Sequence, residues 1–238
     1  MAQSRYWTNS DGSLTVTRSD GTSFLARPLN IGVESELYTR FLEDDTKDTS
    51  IEDWFATTID GPAKTLIEHL LDRANVIRRP FSPTPQKAAT LEAVGFRVRR
   101  YVDWIRIPTS VRKAISEYVA ALLVRHPAYL ARLTAFHADS GLSSTGVRTL
   151  ALENMLYLFP VYAERIASSV FVVTRRAGAT EYVYSDGGLV VREPWDMGGA
   201  MPFDIHAPLT PDVALQVFPL PPQSPDALDV AAIGEATN

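Results

Sequence analysis

The chain contains no cysteine among its 238 residues. This absence excludes a disulfide framework, a thiolate nucleophile and every metal centre that cysteine would ligate, and it favours a reducing cytoplasm as the location. No stretch approaches the roughly 18 uninterrupted apolar residues of a membrane span, and the first residues lack the apolar core of a signal peptide. We therefore expect a cytoplasmic protein without membrane association.

The sequence also lacks the motifs that mark several large enzyme classes. It contains no G-x-S-x-G, no G-x-x-x-x-G-K-[ST] and no G-x-G-x-x-G. Serine hydrolases with that elbow, P-loop nucleotide hydrolases and dinucleotide-dependent oxidoreductases are therefore disfavoured. We predict that the protein uses no cofactor.

The net charge of −5 is unevenly distributed along the chain. Residues 1–72 carry 6 Lys/Arg and 13 Asp/Glu, residues 73–132 carry 12 and 3, and residues 133–238 carry 5 and 12. A basic stretch can bind an anionic partner, but opposite charges on consecutive parts of one domain also attract each other. We favour internal neutralisation of the basic stretch, and the negative total disfavours nucleic acid as a partner.

The first two thirds of the chain predict a hairpin followed by helices. Residues 13–17 and 22–26 alternate in character around Asp20-Gly21, a strong turn signal. Gly61-Pro62 should kink or split the first helix, and the fourth is apolar on nearly all sides between Leu150 and Tyr162, which favours a central position in the core. Helical spacing predicts these helices at 50–71, 84–105, from 109 to the break at Pro127, and 143–168, with a short separate helix at 128–133.

The last third predicts an antiparallel β-meander. Short β-type runs, separated by glycine and proline, lie at 170–174, 181–184, 189–191, 203–206 and 213–217. The fold we predict is therefore α+β: an N-terminal β-hairpin, a central helical bundle of four or more helices, and a C-terminal antiparallel β-meander packed on it. Residues 1–220 should form a single domain, and residues 221–238 a flexible tail.

Two carboxylates and one imidazole are the catalytic candidates. Asp204 and His206 lie two apart in a predicted strand, so their side chains point to the same face, and Asp186 lies on the preceding turn. A carboxylate beside an imidazole can orient a general base. The structural alternative is that Asp186, at a Gly-Gly turn, hydrogen-bonds its own backbone.

The three other histidines lack the i, i+4 partner of a helical zinc site, so we predict no metal site. We interpret His69, His126 and His137 as capping or surface residues.

Arginines of the basic stretch are candidates for phosphate or anion binding. Arg97, Arg100 and Arg106 alternate with aromatic residues, a combination that can hold phosphates and stack on bases, and Arg125 follows in the same stretch. The alternative is that Tyr101, which shares an apolar stripe with neighbouring valines, belongs to the core. We favour the core interpretation for this aromatic cluster.

Several short motifs occur in an order that resembles a bacterial family, the domain-of-unknown-function 4238 family, over about residues 5–220. The motifs are Asp11-Gly12-Ser13-Leu14-Thr15-Val16, Asn30-Ile31-Gly32-Val33-Glu34 with Leu37-Tyr38, Ile51-Glu52, Arg125-His126-Pro127, Tyr184-Ser185-Asp186 and Pro208-Leu209-Thr210-Pro211. The resemblance implies a compact intracellular bacterial protein without an established activity.

The chain departs from this family at two points. Members usually open with His-x-Val-Pro, which this chain lacks, and their Ser-Asp-Asn-Pro turn stands here as Ser185-Asp186-Gly187-Gly188. If that histidine and aspartate form a site in the family, only Asp186 remains here. We therefore expect a binding or effector protein with another protein as its partner, and hypothesise a defence or toxin-type system. The alternative is a hydrolase of phosphoesters or nucleotides that uses Asp186, Asp204 and His206, so enzymatic activity stays an open question.

Overall fold

The computed structural model describes residues 4–18, 20–28, 37–41, 46–80, 84–86, 88–89, 101–176, 181–185, 187–191 and 204–218. Within these ranges, helices and antiparallel sheets confirm the predicted α+β class. None of the described helices combines the length and the apolar character that crossing a membrane requires. The predicted tail lies outside the described residues, and the domain boundaries stay predictions.

The predicted N-terminal hairpin is confirmed. Strand β1 (Leu14–Thr17) pairs antiparallel with β2 (Ser23–Ala26). At the turn Gly21 adopts a φ of 83°, a conformation that glycine tolerates without strain. The Asp20 carboxylate accepts hydrogen bonds from the hydroxyl and the backbone N–H of Thr22 at 2.7 and 2.9 Å, and these bonds hold the pKa of Asp20 below its usual value.

A second small hairpin precedes the first long helical run. Strands β3 (Arg40–Phe41) and β4 (Lys47–Asp48) pair antiparallel. Helix α1 (Ser50–Trp54) then continues through a π-helical segment, Phe55–Asp60, into helix α2 (Gly61–Leu71). Pro62 has no N–H to donate four residues back, and the Gly61 N–H binds the Ala56 carbonyl five residues back. The irregularity expected at Gly61-Pro62 is therefore a π-helical segment within one continuous helical run.

The prediction of a helix ending at residue 105 is wrong for its last part. Residues 101–105 form strand β6 (Tyr101–Ile105), which pairs antiparallel with β5 (Val76–Pro80). Aromatic and β-branched residues in both segments suit a sheet, and their pairing outweighs the helical spacing that the sequence also shows. Thr84 does precede a helical turn that starts at Pro85, but most of the segment between, with Arg97 and Arg100, lies outside the described residues.

Three further helices confirm the predicted bundle. Helix α3 (Thr109–Val124) is followed by α4 (Pro127–Phe136) and by the long α5 (Ser144–Ala167). Each of the last two begins at a side-chain cap: the His126 Nδ1 accepts the N–H of Ala128 at 3.2 Å, and the Ser143 hydroxyl accepts that of Gly146 at 3.1 Å. His126 therefore has the capping role that we predicted for it.

The C-terminal strands form one antiparallel sheet whose order differs from the prediction. Strands β7 (Val170–Arg175), β8 (Val190–Val191), β9 (Ile205–Thr210) and β10 (Val213–Phe218) lie in the order β7-β10-β9-β8. The last three form a meander, whereas β7 pairs with β10 at the far edge. The strand expected at 181–184 is absent from the sheet: this segment is held by the backbone bond from Tyr182 to Pro211.

The core lies between the helices and the inner face of this sheet. Its largest side chains with almost no exposed surface are contributed by the π-helical segment, by helices α2 to α5, by β9 and by the residue before β8. They are Phe55, Ile67, Ile115, Leu122, Leu123, Tyr129, Leu133, Leu152, Met155, Ile166, Leu189 and Ile205.

Candidate functional site

The predicted catalytic imidazole is positioned by a neighbouring amide. His206 on β9 lies opposite Gln216 on β10, and the Gln216 Nε2 is 3.0 Å from the His206 Nδ1. Which atom donates in this bond depends on the tautomer of the imidazole and on the orientation of the amide. Ile205 is fully buried, as strand alternation predicts for the neighbour of Asp204 and His206.

A different imidazole contacts the turn that contains the third catalytic candidate. Asp186 itself lies outside the described residues, so its distance from His206 stays untested. Gly187, the next residue, packs so closely on His126 that a Cβ there would lie 2.1 Å from the His126 Cδ2 and 2.6 Å from Nε2. The backbone of this turn therefore meets the helix α3–α4 corner, and only glycine fits at its point of contact.

The same corner holds Arg125 in a partly buried ion pair. Its guanidinium donates two parallel hydrogen bonds, at 2.9 and 2.8 Å, to the carboxylate of Asp60 at the end of the π-helical segment. It also lies 4.7 Å from the centre of the Phe55 ring, and its backbone carbonyl accepts the Tyr38 hydroxyl at 2.6 Å. This predicted anion-binding residue thus contacts an internal carboxylate, which joins the basic stretch to the acidic first segment.

Two electrostatic effects keep this cluster in one charge state. Burial alone would lower the pKa of Arg125, but the hydrogen bonds and charge of Asp60 outweigh it, and the net shift is upward. Burial, followed by the nearby Tyr184 and Asp60, raises the pKa of Tyr118 far above its usual value. Arg125 therefore stays charged and Tyr118 neutral at any physiological pH.

The hydroxyl of Tyr118 is an orphan within the described part of the chain. The residue is 4% exposed, and no donor or acceptor there lies within hydrogen-bond distance of its buried oxygen. A buried polar group without a partner costs about 1–3 kcal/mol. This hydroxyl is therefore a source of strain beside the Arg125–Asp60 pair.

Motifs that are distant in sequence meet at this corner. Tyr38, Arg125 and His126 belong to motifs quoted in the sequence analysis, and the ring of Tyr184, from another of these motifs, lies tilted with its centre 5.2 Å from that of Trp7. Sequence reasoning missed Asp60 and Tyr118. The one sequence feature that could have drawn attention to Asp60 is its position directly before Gly61-Pro62. For Tyr118 the sequence offers no local feature beyond its helical spacing.

The other predicted anion-binding residues are not brought to this corner by any described contact. Arg106 is exposed, and its backbone carbonyl lies 3.0 Å from the His69 Nε2. Arg97 and Arg100 are outside the described residues, so a shared anion site of these arginines stays a prediction.

A second feature is the solvent-facing side of α5, a helix for which the sequence favoured a central position in the core. One side of this helix is buried, with Leu152, Met155 and Ile166 fully enclosed, but the opposite side faces solvent. The expected core position holds for this buried side, and the half-buried Leu156, Leu158, Phe159 and Tyr162 also pack on the core. We call the solvent-facing side the outer face; its exposed apolar residues on α5 are Tyr157 and Val161, with the half-buried Leu150. Leu142, just before the helix, and Phe136, at the end of α4, are also exposed.

These apolar side chains are spaced along the outer face, and we refer to them together as the strip. Tyr157 is 74% exposed and Val161, one turn further, 38%. At the other end Leu142 is 51% exposed, and its Cβ lies 3.2 Å from where a Cβ on Gly146 would be. Phe136 is 70% exposed, and the next residue, His137, is hydrogen-bonded to Asn154 on α5.

Acidic side chains follow one edge of this strip. Glu153 and Glu164 are eleven residues apart on α5 and both are exposed. Neither forms an ion pair with another described residue. Helical geometry places both on the same side of Tyr157, while the exposed Arg165 lies on the other.

Comparison of the chain with protein-family models, with curated proteins and with solved structures found no significant match. The described residues contain no group of three His, Asp or Glu side chains placed to share a metal ion. The interpretation of function therefore rests on the geometry of the Arg125 corner and of the outer face.

Proposed function

We propose that the protein is a binding component that recognises another protein through the outer face of α5. The observation that carries this proposal is the exposure of Tyr157 and Val161, one turn apart on α5, together with that of Leu142 before the same helix and Phe136 on α4. Single exposed apolar residues are normal on protein surfaces, but a contiguous group of large ones marks an interaction site. Their burial by a partner supplies about 25 cal/mol per Å² of apolar surface.

The contacts of the candidate catalytic groups favour binding over the alternative hydrolase. The Nδ1 of His126 accepts the Ala128 N–H, and the Nδ1 of His206 is hydrogen-bonded to the Gln216 amide. Arg125, which would stabilise an anionic transition state, is paired with Asp60. General base catalysis needs a group that can take a proton, and both imidazoles already use Nδ1 in a hydrogen bond within the protein.

The Arg125 corner then has a supporting role. The ion pair to Asp60 fixes the π-helical segment against the end of α3, and Gly187 fixes the turn before β8 against α4. Rigid elements present a binding surface with little ordering cost on association. The defence or toxin setting stays a hypothesis from the family resemblance and gains no support from these contacts.

The proposal is tested by affinity capture from native extract with matched variants. We expect wild type to retain a protein that the double variant Tyr157→Asp/Val161→Asp does not retain. Once identified and purified, this partner should bind wild type and fail to bind the double variant. Val183→Asp is the control, because Val183 is 80% exposed but lies on the segment before β8.

Thermal melts check each fold: Tyr157 and Val183 are 74% and 80% exposed, whereas Val161 is 38% exposed, so the single variant Tyr157→Asp serves as a second test variant that should melt like wild type. An identical set of captured proteins for wild type and for the Tyr157→Asp/Val161→Asp variant would overturn the proposal. Turnover of a phosphoester or nucleotide that is abolished by His206→Ala would support the hydrolase instead.

A further inference from the structure

Beyond the recognition of another protein, and resting on that proposed function, the outer face also constrains the kind of partner. We propose that the partner presents an amphipathic helix whose apolar stripe covers the outer face and whose edge nearest Glu153 and Glu164 carries lysine or arginine. Three features of the described residues support this: the length of the strip, the spacing of its side chains and the charges along its edge.

The dimensions of the strip match one helix. The strip follows α5 from Gly146, which lies beside Leu142, to Val161. At the rise of an α-helix this part of the helix axis is roughly 22 Å long, about four turns. Tyr157 and Val161 stand one turn apart and form a ridge of the i, i+4 kind. A second helix receives such a ridge in the groove between its own side-chain rows, so a helix of similar length would bury the whole strip.

The charges along the edge specify what this helix carries. A partner that covers Tyr157 and Val161 also removes water from Glu153 and Glu164, which have no ion-pair partner in the described part of the chain. A carboxylate that loses water without gaining a cation is strongly disfavoured. Cations on the partner, spaced about three turns apart, would meet both carboxylates.

The same charges argue against a second copy of this chain as the occupant. A two-fold related α5 that crosses antiparallel at Tyr157 would place Glu153 opposite Val161 and Glu164 opposite Leu150. Both carboxylates would then face apolar side chains instead of cations. A symmetric dimer through this face is therefore disfavoured by its own charge pattern.

The inference is tested with synthetic peptides and the full chain. The probe is an 18-residue labelled helix former with leucines at i, i+3, i+4 and i+7 and lysines along one edge. The comparison peptides replace these lysines with glutamates or scramble the order of the residues. Fluorescence anisotropy should show the lysine peptide binding at least tenfold more tightly than either, and Tyr157→Asp/Val161→Asp should abolish the difference.

Charge reversal provides the decisive control. Glu153→Lys/Glu164→Lys should invert the preference in favour of the glutamate peptide. Glu68→Lys/Glu181→Lys makes the same change of net charge at exposed sites on α2 and before β8, and should leave the preference unchanged.

The outcomes separate this inference from the proposed function. Equal binding of the lysine and glutamate peptides would overturn the inference of a basic helix. The proposed binding function would still stand if capture from extract depends on Tyr157 and Val161. A wild-type dimer in sedimentation that Tyr157→Asp/Val161→Asp converts to monomer would overturn the inference in favour of a second copy. Capture that is indifferent to this double variant would overturn both.

Discussion

The contact between Gly187 and His126 leads to a sharp stability prediction. In Gly187→Ala the new methyl carbon would lie 2.1 Å from the His126 Cδ2 and 2.6 Å from Nε2, far inside van der Waals contact. Either the turn before β8 moves away or the imidazole rotates. Both responses are costly, because Gly187 is buried and the imidazole Nδ1 holds the first turn of α4 by accepting the Ala128 N–H.

The magnitude follows from these two costs. Overpacking in a buried contact costs about 1–3 kcal/mol, and loss of a helix N-cap costs about 0.5–2 kcal/mol. We therefore expect Gly187→Ala to lower the free energy of unfolding by about 2 kcal/mol. For a chain of this size each kcal/mol corresponds to roughly 2–4 °C, so the melting temperature should fall by about 4–8 °C.

A double-mutant cycle isolates the contact. His126→Ala alone should cost about 1 kcal/mol, because it removes the cap. In that background the clash is gone, so adding Gly187→Ala should cost a few tenths of a kcal/mol or less, a coupling of about 1.5–2 kcal/mol. Urea unfolding followed by circular dichroism gives all four free energies. Additive costs would refute the close packing of this turn on the α3–α4 corner.

Three further predictions concern the same corner and the hairpin. Tyr118→Phe removes a hydroxyl that has no hydrogen-bond partner among the described residues, so the free energy of unfolding should stay unchanged or rise by ~1 kcal/mol. The control Tyr38→Phe removes the 2.6 Å hydrogen bond to the Arg125 carbonyl and should lower the free energy of unfolding by ~1 kcal/mol. Urea titrations measure both. Asp60→Leu should lower the free energy of unfolding by ~2–4 kcal/mol, because Arg125 loses its ion-pair partner. The double variant Asp60→Leu/Arg125→Met should lower it by less. A lower melting temperature for the double variant than for Asp60→Leu would contradict the ion-pair argument. Because folding lowers the pKa of Asp20, its contribution to the hairpin is present at neutral pH and is lost as the pH falls through that lowered value below 3.8, so Asp20→Asn should remove this acid dependence from the amide chemical shifts of the hairpin.

The sequence predicted the elements whose signals are local. The turn at Asp20-Gly21, the break at Pro127 and the start of the last helix near residue 143 each depend on residues within four positions, and all three lie where expected. Strand partners are not local. The pairing of β7 with β10 joins Val170 to Phe218, and no pattern within either segment distinguishes this partner from a nearer strand.

The misplaced strand β6 has the same physical origin. Tyr101, Val102 and Ile105 fit both a helical stripe and a strand, and the choice is made by β5, whose Val76 lies opposite Ile105. Propensity within one segment carries too little free energy to decide between such alternatives. The bond from Gln216 to His206 likewise became visible only once the register of β9 and β10 was known.

The outer face shows how a correct pattern led to an incomplete interpretation. Between Leu150 and Tyr162 the sequence is apolar around the whole helix, and burial within one chain is the usual explanation of that pattern. The other helices and the sheet cover Leu152 and Met155 and half-bury Leu156, Leu158, Phe159 and Tyr162, while Tyr157 and Val161 remain exposed. This exposure is the reason for proposing a partner surface here. Glu153 and Glu164 form no ion pair with another described residue, which is the reason for proposing that this surface is basic. The apolar excess that suggested a core position is thus the same signal that now supports a partner.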